Sequence, residues 1–422
     1  MTQPSAPAPS APARHDPYLA LRHREFRWYI TSVFSMTLGS QLQAVVVGWQ
    51  VYAITHDPLS LGLIGLAEAL PFIAIALPAG YVADRWNRRT ICVAALAVLA
   101  ACSVALLVLS VVPGLLARVG VMPIYSVIFA SGIARSFLQP ARQALSSELV
   151  PRDSLQNAVA WRSSAWQTAA VVGPAVGGLL YGFTNAVLTY SVDVVLMVLA
   201  LLGMLVIKYE SVERTLSGES AILSSLVTGL RFVFSEPVIL GALSLDLFSV
   251  FLGGAEALLP VFAAEILKVG PQGLGVLRAA PAAGAVAMGL FLAHRPPFER
   301  AGRTLLIAVA TFAVAIIGFG LSTSFWLSLV LLAASGMADS ISVVIRSTLL
   351  QMLTPVEMLG RVSAVNSVFV GSSNELGAFE SGVAAKLFGA VPAVVLGGVA
   401  SLLVVGATAR LVPRLRKLER IT

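Results

Sequence analysis

The chain has 422 residues, of which 57% are hydrophobic and only 12% are charged, and its mean hydropathy is +0.87. Soluble globular domains carry about 25% charged residues, so this composition excludes a soluble protein and indicates a polytopic membrane protein. The formal net charge of +7 is compatible with nucleic-acid binding, but the positively charged loops of a membrane protein produce the same excess. The positions of the charges along the chain therefore have to decide between the two.

Two cysteines and four histidines leave little scope for metal or redox chemistry. Cys92 and Cys102 lie within one apolar run, where cysteine is usually a small packing residue, and the sequence has no zinc-type spacing of ligands. It also has no phosphate-binding loop of Gly and Lys residues. We therefore expect no metal, no cofactor and no enzymatic activity, with a membrane-embedded enzyme or receptor as the alternative to a transporter.

Apolar runs of about 20 residues, the length that spans a bilayer, alternate with polar or Gly- and Pro-rich segments along the chain. There are twelve such runs, so the predicted fold class is an all-α membrane protein with twelve transmembrane helices in two six-helix bundles. The predicted bundles are residues 28–207 and 236–411, with an N-terminal tail (1–27), a central linker (208–235) and a C-terminal tail (412–422). The predicted spans are 28–53, 61–83, 90–112, 121–138, 162–183, 187–207, 236–263, 271–293, 304–322, 325–346, 362–388 and 391–411.

The positive charges are concentrated on one side of this topology. Twenty-four of the 28 Lys and Arg residues lie in or beside the two tails, the linker and the loops that follow even-numbered spans, with Arg142 and Arg346 counted among the loop residues. Because positively charged loops stay in the cytoplasm, both termini are predicted to be cytoplasmic, in the inner membrane of a bacterium. Topology explains the basic balance, and no nucleic-acid partner is expected.

An internal repeat relates the two halves of the chain. When the sequence is shifted by 204 residues, spans 4 and 5 align with spans 10 and 11 without a gap. Such a repeat is typical of a transporter built from two related halves, so we predict that the two bundles are pseudo-symmetric. The identical pairs include Gly132 with Gly336, Arg142 with Arg346, Pro151 with Pro355, Gly173 with Gly377 and Gly178 with Gly382.

The short loop between spans 2 and 3 reads Gly80-Tyr-Val-Ala-Asp84-Arg85-Trp-Asn-Arg88-Arg89. It resembles the loop signature of the major facilitator superfamily, Gly-x-x-x-Asp-Arg-x-Gly-Arg-Arg/Lys, with Asn87 in place of the second glycine. The resemblance implies that Asp84 and the arginines latch the two bundles together, against Arg361 at the start of span 11, when the cytoplasmic side is closed. The alternative, a plain positively charged anchor, explains the three arginines but neither Gly80 nor Asp84.

Span 5 contains Gly173-Pro174-Ala-Val-Gly177-Gly178, which resembles the antiporter motif of the superfamily, with Ala169 in place of its leading glycine. In the superfamily this motif accompanies exporters more than importers, so the resemblance favours outward transport. Small residues at this spacing also let helices approach closely, and proline bends a helix. Tight packing of span 5 on a neighbour is therefore the alternative interpretation.

The segment around span 11 is the most distinctive in the chain. The strings Gly360-Arg-Val-Ser-Ala-Val-Asn-Ser367 and Ser373-Asn-Glu-Leu-Gly377 resemble the branch of the superfamily that includes the enterobactin exporter. The resemblance implies efflux of a siderophore or a drug, and it does not identify the compound.

Carboxylates inside apolar spans are unfavourable unless they are paired or functional. Asp246 and Glu256 are ten residues apart in span 7, so both are expected to border a central cavity at different depths, and Arg278 is a candidate partner for one carboxylate. Arg135 lies in a segment that partly resembles the superfamily's Arg-x-x-Gln-Gly motif, which is associated with proton transfer; an anchoring role is its alternative. The candidates for proton coupling are Asp246, Glu256, Glu375, Glu380 and Arg135, and a paired structural charge is the alternative for each carboxylate.

Spans 1 and 5 line the cavity in the superfamily, so their aromatic and amide side chains are candidates for substrate contacts: Gln41, Trp49, Gln50, Trp166 and Gln167. We predict a monomeric secondary transporter in the lipid bilayer, with a small-molecule substrate and protons as the coupling ion. It is expected to export a siderophore or an amphipathic drug-like molecule by alternating access. Import by the same fold is the alternative.

Overall fold

The computed structural model describes residues 16–112, 114–209, 219–296, 298–355 and 358–418. Among these residues, the side chains at 76, 77, 81, 84, 117, 219–226 and 364 are not described. The described residues form helices and connecting loops and contain no β-strand. The predicted all-α fold class is confirmed.

Twelve long helices correspond one to one with the predicted spans. A further helix, Glu219–Ser235, lies in the segment predicted only as a polar linker, and we name it the linker helix. The twelve are α1 Arg24–Thr55, α2 Pro58–Arg85, α3 Arg88–Val111, α4 Met122–Glu148, α5 Leu155–Phe183, α6 Ala186–Val206, α7 Pro237–Gly253, α8 Gly270–Ala293, α9 Ala301–Leu321, α10 Phe325–Leu353, α11 Leu359–Phe388 and α12 Ala390–Leu411.

Two predicted spans end too early, and one is interrupted. Helices α4 and α10 continue past residues 138 and 346 to Glu148 and Leu353, so Arg142 and Arg346 are helical residues and their assignment to loops is wrong. Helix α7 ends at Gly253 and is followed by short 3-10, α and π turns up to Ile266. Adjacent glycines followed by a proline explain this break.

Nine of the helices in the described part of the chain are long and apolar enough to cross a membrane. The other three, α4, α5 and α11, have 27, 29 and 30 residues, so their length is sufficient. Their interiors contain charged or amide side chains such as Arg135, Gln167 and Glu375, which lower their hydropathy. Polar membrane helices of this kind are typical of those that face the interior of a bundle.

The two bundles repeat the same internal packing. In the first, α4 approaches α2 where a Cβ on Gly132 would lie 2.7 Å from the Pro71 Cγ atom. In the second, α10 approaches α8 where a Cβ on Gly336 would lie 1.9 Å from the Pro281 carbonyl oxygen. Each contact joins a glycine to a proline two helices earlier in its own half, and the two glycines are partners in the internal repeat. The predicted pseudo-symmetry is confirmed in these contacts.

The bundles meet at one end of the molecule, which we name the closed end and define by the α1–α2 connection at residues 55–58. There α2 crosses α11, and a Cβ on Gly382 would lie 2.6 Å from the Gly62 Cα atom. Helices α5 and α8 cross in the same way, with a Cβ on Gly178 only 2.5 Å from the Gly275 Cα atom. Contacts at these distances require glycine on both helices.

A hydrophobic cluster fills the closed end between the two glycine crossings. It combines buried residues of α1 and α2 with residues that follow α7 and with parts of α8 to α12, including Val45, Leu61, Phe262 and Phe319. The Phe262 and Phe319 rings pack with their centroids 4.6 Å apart. The opposite end, which contains the α2–α3 loop and the linker helix, we name the linker end.

Replacement of Gly275 by Ala is expected to lower the free energy of unfolding by about 1–3 kcal/mol, because the added methyl group overlaps the α5 backbone. Thermal unfolding of the purified protein in detergent measures the change. A thiol-reactive dye detects unfolding, because Cys92 and Cys102 are buried in the folded protein and react when it unfolds. Gly289→Ala on the same helix is the control, because a Cβ there meets nothing within 4 Å. Equal stability of the two variants would contradict the crossing.

Candidate functional site

A cavity of about 530 Å³ lies between the bundles, on the linker side of the glycine crossings. Two helices from each half line it: α2 and α4 from the first, and α10 and α11 from the second. Nine of the fifteen described residues that line it have polar or charged side chains, and Phe72 is the one aromatic residue among them. This volume falls within the range of small-molecule sites.

An ion pair between Glu68 of α2 and Arg135 of α4 forms one wall of the cavity. Gly132, one turn before Arg135, allows the α4 backbone to approach the Glu68 carbonyl oxygen, to which an added Cβ would be only 3.2 Å away. The guanidinium then reaches the Glu68 carboxylate directly. The predicted candidate Arg135 therefore lies at the cavity, paired with Glu68, a carboxylate inside another membrane helix.

A second ion pair forms the wall contributed by the other bundle. Arg346 of α10 donates to Asp246 of α7 at 2.5 Å, and both side chains are only 7% exposed. Breaking a buried pair leaves an uncompensated charge, which is strongly unfavourable. The need for a partner explains why Arg346 lies inside a membrane helix, and Asp339, one to two turns earlier in α10, lies within electrostatic range of both groups.

Glu375 of α11 also lines the cavity, and within the described residues it has no hydrogen-bond or ion-pair partner. Four charged groups lie within electrostatic range of it: Glu68, Arg135, Arg278 and Glu256. The structure therefore brings together two of the predicted coupling residues, Arg135 and Glu375, with the suggested partner Arg278. Glu375 is the carboxylate at the centre of the cavity that remains without a direct partner.

The two remaining coupling candidates lie elsewhere. Glu256 follows the break after α7 and is exposed, so the assumption of one continuous helix joining Asp246 to Glu256 is wrong. Glu380 is half-buried in α11 and is not among the described residues that line the cavity.

The five predicted substrate contacts are also not among the described lining residues. Gln50 accepts a hydrogen bond from Tyr190 at 3.0 Å and donates to Ser110 at 3.2 Å, which ties it to its own bundle. Trp49 packs against the closed-end cluster. The other three lie along α1 and α5: Gln41 packs beside Gly173 in the contact between these helices, Trp166 is exposed, and Gln167 donates to Ser163.

The antiporter-motif residues are buried between three helices. Gly173 and Gly177 pack on α1, where an added Cβ would lie 2.6 Å from Gln41 Cβ and 3.0 Å from the Leu42 Cα atom, respectively. Gly178 instead faces α8 in the second bundle, and the Pro174 carbonyl oxygen lies at the same crossing. The motif thus packs α5 against both bundles at once.

Arg88 and Arg89, at the α2–α3 loop, donate hydrogen bonds within their own bundle. Arg88 donates to Glu148 at 2.5 Å, and Glu148 also accepts from Tyr209 at 2.6 Å. Arg89 donates to the Leu205 carbonyl oxygen at 2.5 Å. These contacts join the loop to the ends of α4 and α6.

The predicted latch partner Arg361 lies at the start of α11, next to the linker helix. Arg361 is exposed, and its backbone packs against Gly229 of the linker helix. A Cβ on Gly80 would meet nothing within 4 Å, and Arg85 is exposed. The side chain of Asp84 lies outside the described part of the structure, so the latch stays a prediction.

Polar contacts across the bundles reinforce the closed end. Lys386 at the end of α11 donates to Asp57 at 2.8 Å, and Tyr52 donates to Glu265. Asp57 also caps α2 by accepting from the Leu59 amide at 3.1 Å. The hydrogen bond from Lys386 lowers the pKa of Asp57 below its ordinary value of 3.8, against the opposing effect of partial burial.

Comparisons with known proteins agree with this architecture. A family model described as "Transmembrane secretion effector" matches residues 15–422. The enterobactin exporter EntS of Escherichia coli O1:K1 is 26% identical over 344 residues, which are 81% of this chain and 81% of that protein. The enterobactin exporter EntS of Citrobacter koseri gives the same values.

Solved structures with the same fold include a D-xylose–proton symporter, with a TM-score of 0.70 at 14% identity over 94% of this chain and 100% of that chain. A bacterial homologue of the human lysosomal transporter Spinster, inward-facing and unoccupied, has a TM-score of 0.70 at 14% identity over 93% of this chain and 98% of that chain. These likenesses confirm the predicted major facilitator fold.

Replacement of Arg346 by Met is expected to destabilise the protein by about 3–5 kcal/mol, because Asp246 is left as an unpaired buried charge. The double variant Arg346→Met with Asp246→Leu removes both charges and is expected to recover most of the loss. Thermal unfolding in detergent compares the three proteins. A single variant as stable as the wild type, or a double variant no better than the single one, would contradict the pairing.

Proposed function

Because the chain belongs to the transmembrane secretion effector family of the major facilitator superfamily, and is therefore a multi-pass membrane transporter, we propose that it exports a small molecule in exchange for protons. The observation that carries the proposal is a cavity lined by polar and charged side chains of two pseudo-symmetric bundles, whose described residues cross through glycine contacts at the closed end. A site of this kind, accessible from one side at a time, is what alternating access requires.

The conformation is assigned as inward-facing. We assign the linker end to the cytoplasm because the tails, the linker and the α2–α3 loop contain most of the positive charges. The closed end then faces the outside, and the cavity lies in the cytoplasmic half. In this state an exporter takes up its substrate from the cytoplasm.

Export and proton exchange rest on separate observations. The antiporter-like segment from Gly173 to Gly178 and the similarity to enterobactin exporters support outward transport of a siderophore or another amphipathic small molecule. Glu375 and the Glu68–Arg135 pair support proton exchange, because a carboxylate that changes partner in a low-dielectric site changes its proton affinity. Opening of the closed end would expose the same groups to the outside.

The latch is retained as a proposal for the outward-facing state. Arg361 lies at the start of α11, on the bundle that would have to approach the α2–α3 loop when the linker end closes. Arg88 and Arg89 fix that loop to α4 and α6, so the loop would move with its bundle as a rigid body. Asp84 would then meet Arg361 across the interface.

Deletion of the gene is expected to make the strain accumulate a small molecule inside the cell, and a plasmid copy should restore its appearance in the medium. Comparative metabolite profiling of cells and medium, together with a compound-susceptibility screen, measures this. A protonophore should abolish the restored export, and Arg135→Gln should reduce it at least tenfold at equal protein level. A compound that disappears from the medium only when the gene is present would indicate import instead.

Replacement of Asp57 by Lys is expected to open the closed end, because it sets two ammonium groups against each other where Lys386 now binds a carboxylate. Adding Lys386→Asp should restore closure by reversing the pair. A membrane-impermeant maleimide reports opening through the variant Ala255→Cys. Ala255 belongs to the closed-end cluster and is only 3% exposed, so it should be labelled faster when this end opens. The labelling rate should rise several-fold in the single variant and return to that of the parent in the double variant.

The Asp57–Lys386 pair should also make the labelling rate depend on pH in a defined way. A carboxyl whose pKa is lowered in the folded protein stabilises the contact at neutral pH, and its contribution is lost only as the pH falls through that lowered value. Because maleimides react with the thiolate, the labelling rate of the parent is divided by that of Met122→Cys, a 70% exposed position, at the same pH. This ratio should stay constant from neutral pH down to about pH 5 and rise only in stronger acid. A rise between pH 8 and 6 would show that another group controls the closed end.

A further inference from the structure

Acidic side chains outnumber basic side chains around the cavity. Two of the guanidinium groups are held in the ion pairs with Glu68 and Asp246. When every group is ionised, the carboxylates exceed the guanidinium groups by three. The carboxylates that line the cavity or lie within electrostatic range of its lining are Glu68, Asp193, Asp246, Glu256, Asp339 and Glu375, and the guanidinium groups are Arg135, Arg278 and Arg346.

This surplus is unfavourable in the membrane interior, where an uncompensated charge costs several kcal/mol. Bound protons or a cationic ligand can offset it, whereas an anionic ligand would increase it. The charge balance of the cavity therefore selects a cation over an anion. Glu375, the lining carboxylate without a direct partner among the described residues, is the group that such a cation can reach.

An aromatic ring lines the cavity together with this carboxylate. The Phe72 ring packs against α11 at Gly371, where a Cβ would lie 2.8 Å from the ring edge, one helical turn before Glu375. On its own helix Phe72 follows Glu68 by one turn. A carboxylate beside an aromatic face is the arrangement that binds protonated amines, through an ion pair and a cation–π contact.

The rest of the lining indicates a polar ligand. Gln139, Ser347, Asn366, Ser367 and Asn374 line the cavity with amide and hydroxyl groups, which can hydrogen-bond to polar atoms of a ligand. A purely hydrophobic cation would leave these groups without partners on desolvation. Hydrogen-bonding atoms around the amine are therefore expected in the substrate.

We propose that Glu375 and Phe72 bind the protonated amine of a polar substrate, and that a proton occupies Glu375 when the substrate leaves. The inference rests on the proposed function, since it takes the cavity as the transport site. It narrows the substrate to siderophores or drug-like molecules that contain an amine. Release of the amine and protonation of the Glu375 carboxylate are then the two halves of one exchange.

Three five-carbon probes that differ only in their end groups test the inference: cadaverine, 1,5-pentanediol and glutarate. Thermal unfolding of the purified full-length protein in detergent, at matched ionic strength, gives the affinity of each. Cadaverine should raise the unfolding temperature of the wild type, and the neutral and anionic probes should not. The affinity for cadaverine should fall about tenfold or more from pH 8 to pH 5 as protons compete for the carboxylate.

Variants then assign the effect to residues. Glu375→Gln should lower the affinity for cadaverine at least about tenfold and abolish its pH dependence. Glu375→Asp should retain part of the affinity and part of the pH dependence. Phe72→Leu should lower the affinity about threefold to tenfold. Glu380→Gln is the matched control, because this half-buried carboxylate lies on the same helix as Glu375 and is not among the described residues that line the cavity. It should bind cadaverine as the wild type does.

Stronger binding of glutarate than of cadaverine, no shift with cadaverine, or a Glu375→Gln protein that binds cadaverine normally would each overturn the amine site. If Glu375→Gln does not fold, the Glu375→Asp and Phe72→Leu variants decide in the same assay. Gene-dependent export that persists while cadaverine fails to bind would reject the amine site and leave the exporter intact. Loss of any gene-dependent export would instead reject the proposed function.

Discussion

The architecture depends on two crossings at which helices from different bundles approach through glycine. At Gly178 and Gly275, and again at Gly62 and Gly382, no side chain separates the backbones. In a bilayer, helices associate through such van der Waals contacts, since lipid is as apolar as the side chains. The crossings hold the bundles together at the closed end, and the cavity lies where the helices diverge from them.

The repeat preserves this packing but changes the charges that it supports. Gly132 on Pro71 and Gly336 on Pro281 are equivalent contacts, yet one turn beyond them Arg135 of α4 aligns with Asp339 of α10. In the first bundle the guanidinium is paired with Glu68, and in the second the carboxylate lies near the Asp246–Arg346 pair. The two bundles have similar packing but therefore contribute different charges to the cavity.

Much of the fold follows from hydropathy and repetition, because a bilayer admits few alternatives to closed helical bundles. The ends of α4 and α10 do not, since the partner that lets Arg346 lie buried within α10 is Asp246 on another helix. Similarly, the loop motif and the glycine motif can be recognised in the sequence, but the partners of Arg88 and Gly178 depend on tertiary packing. Glu375 and Arg135 were identified as candidates, whereas Phe72, Gln139, Asn366 and Asp339 were not. No single-residue signal distinguishes Phe72 from the other apolar residues of α2, although the charge of Asp339 inside a span was a usable sign.

The interruption after α7 has a mechanical consequence. Gly253 ends the regular helix, and the chain continues through 3-10 and π turns with Pro260 among them, so the backbone hydrogen-bond ladder is already broken there. The segment beyond it belongs to the closed-end cluster, while Asp246 lies on the other side of the break. In the proposed opening of the closed end, the part of this span beyond the break would be able to pivot, and the ion pair that anchors the part before the break to α10 would not have to move with it.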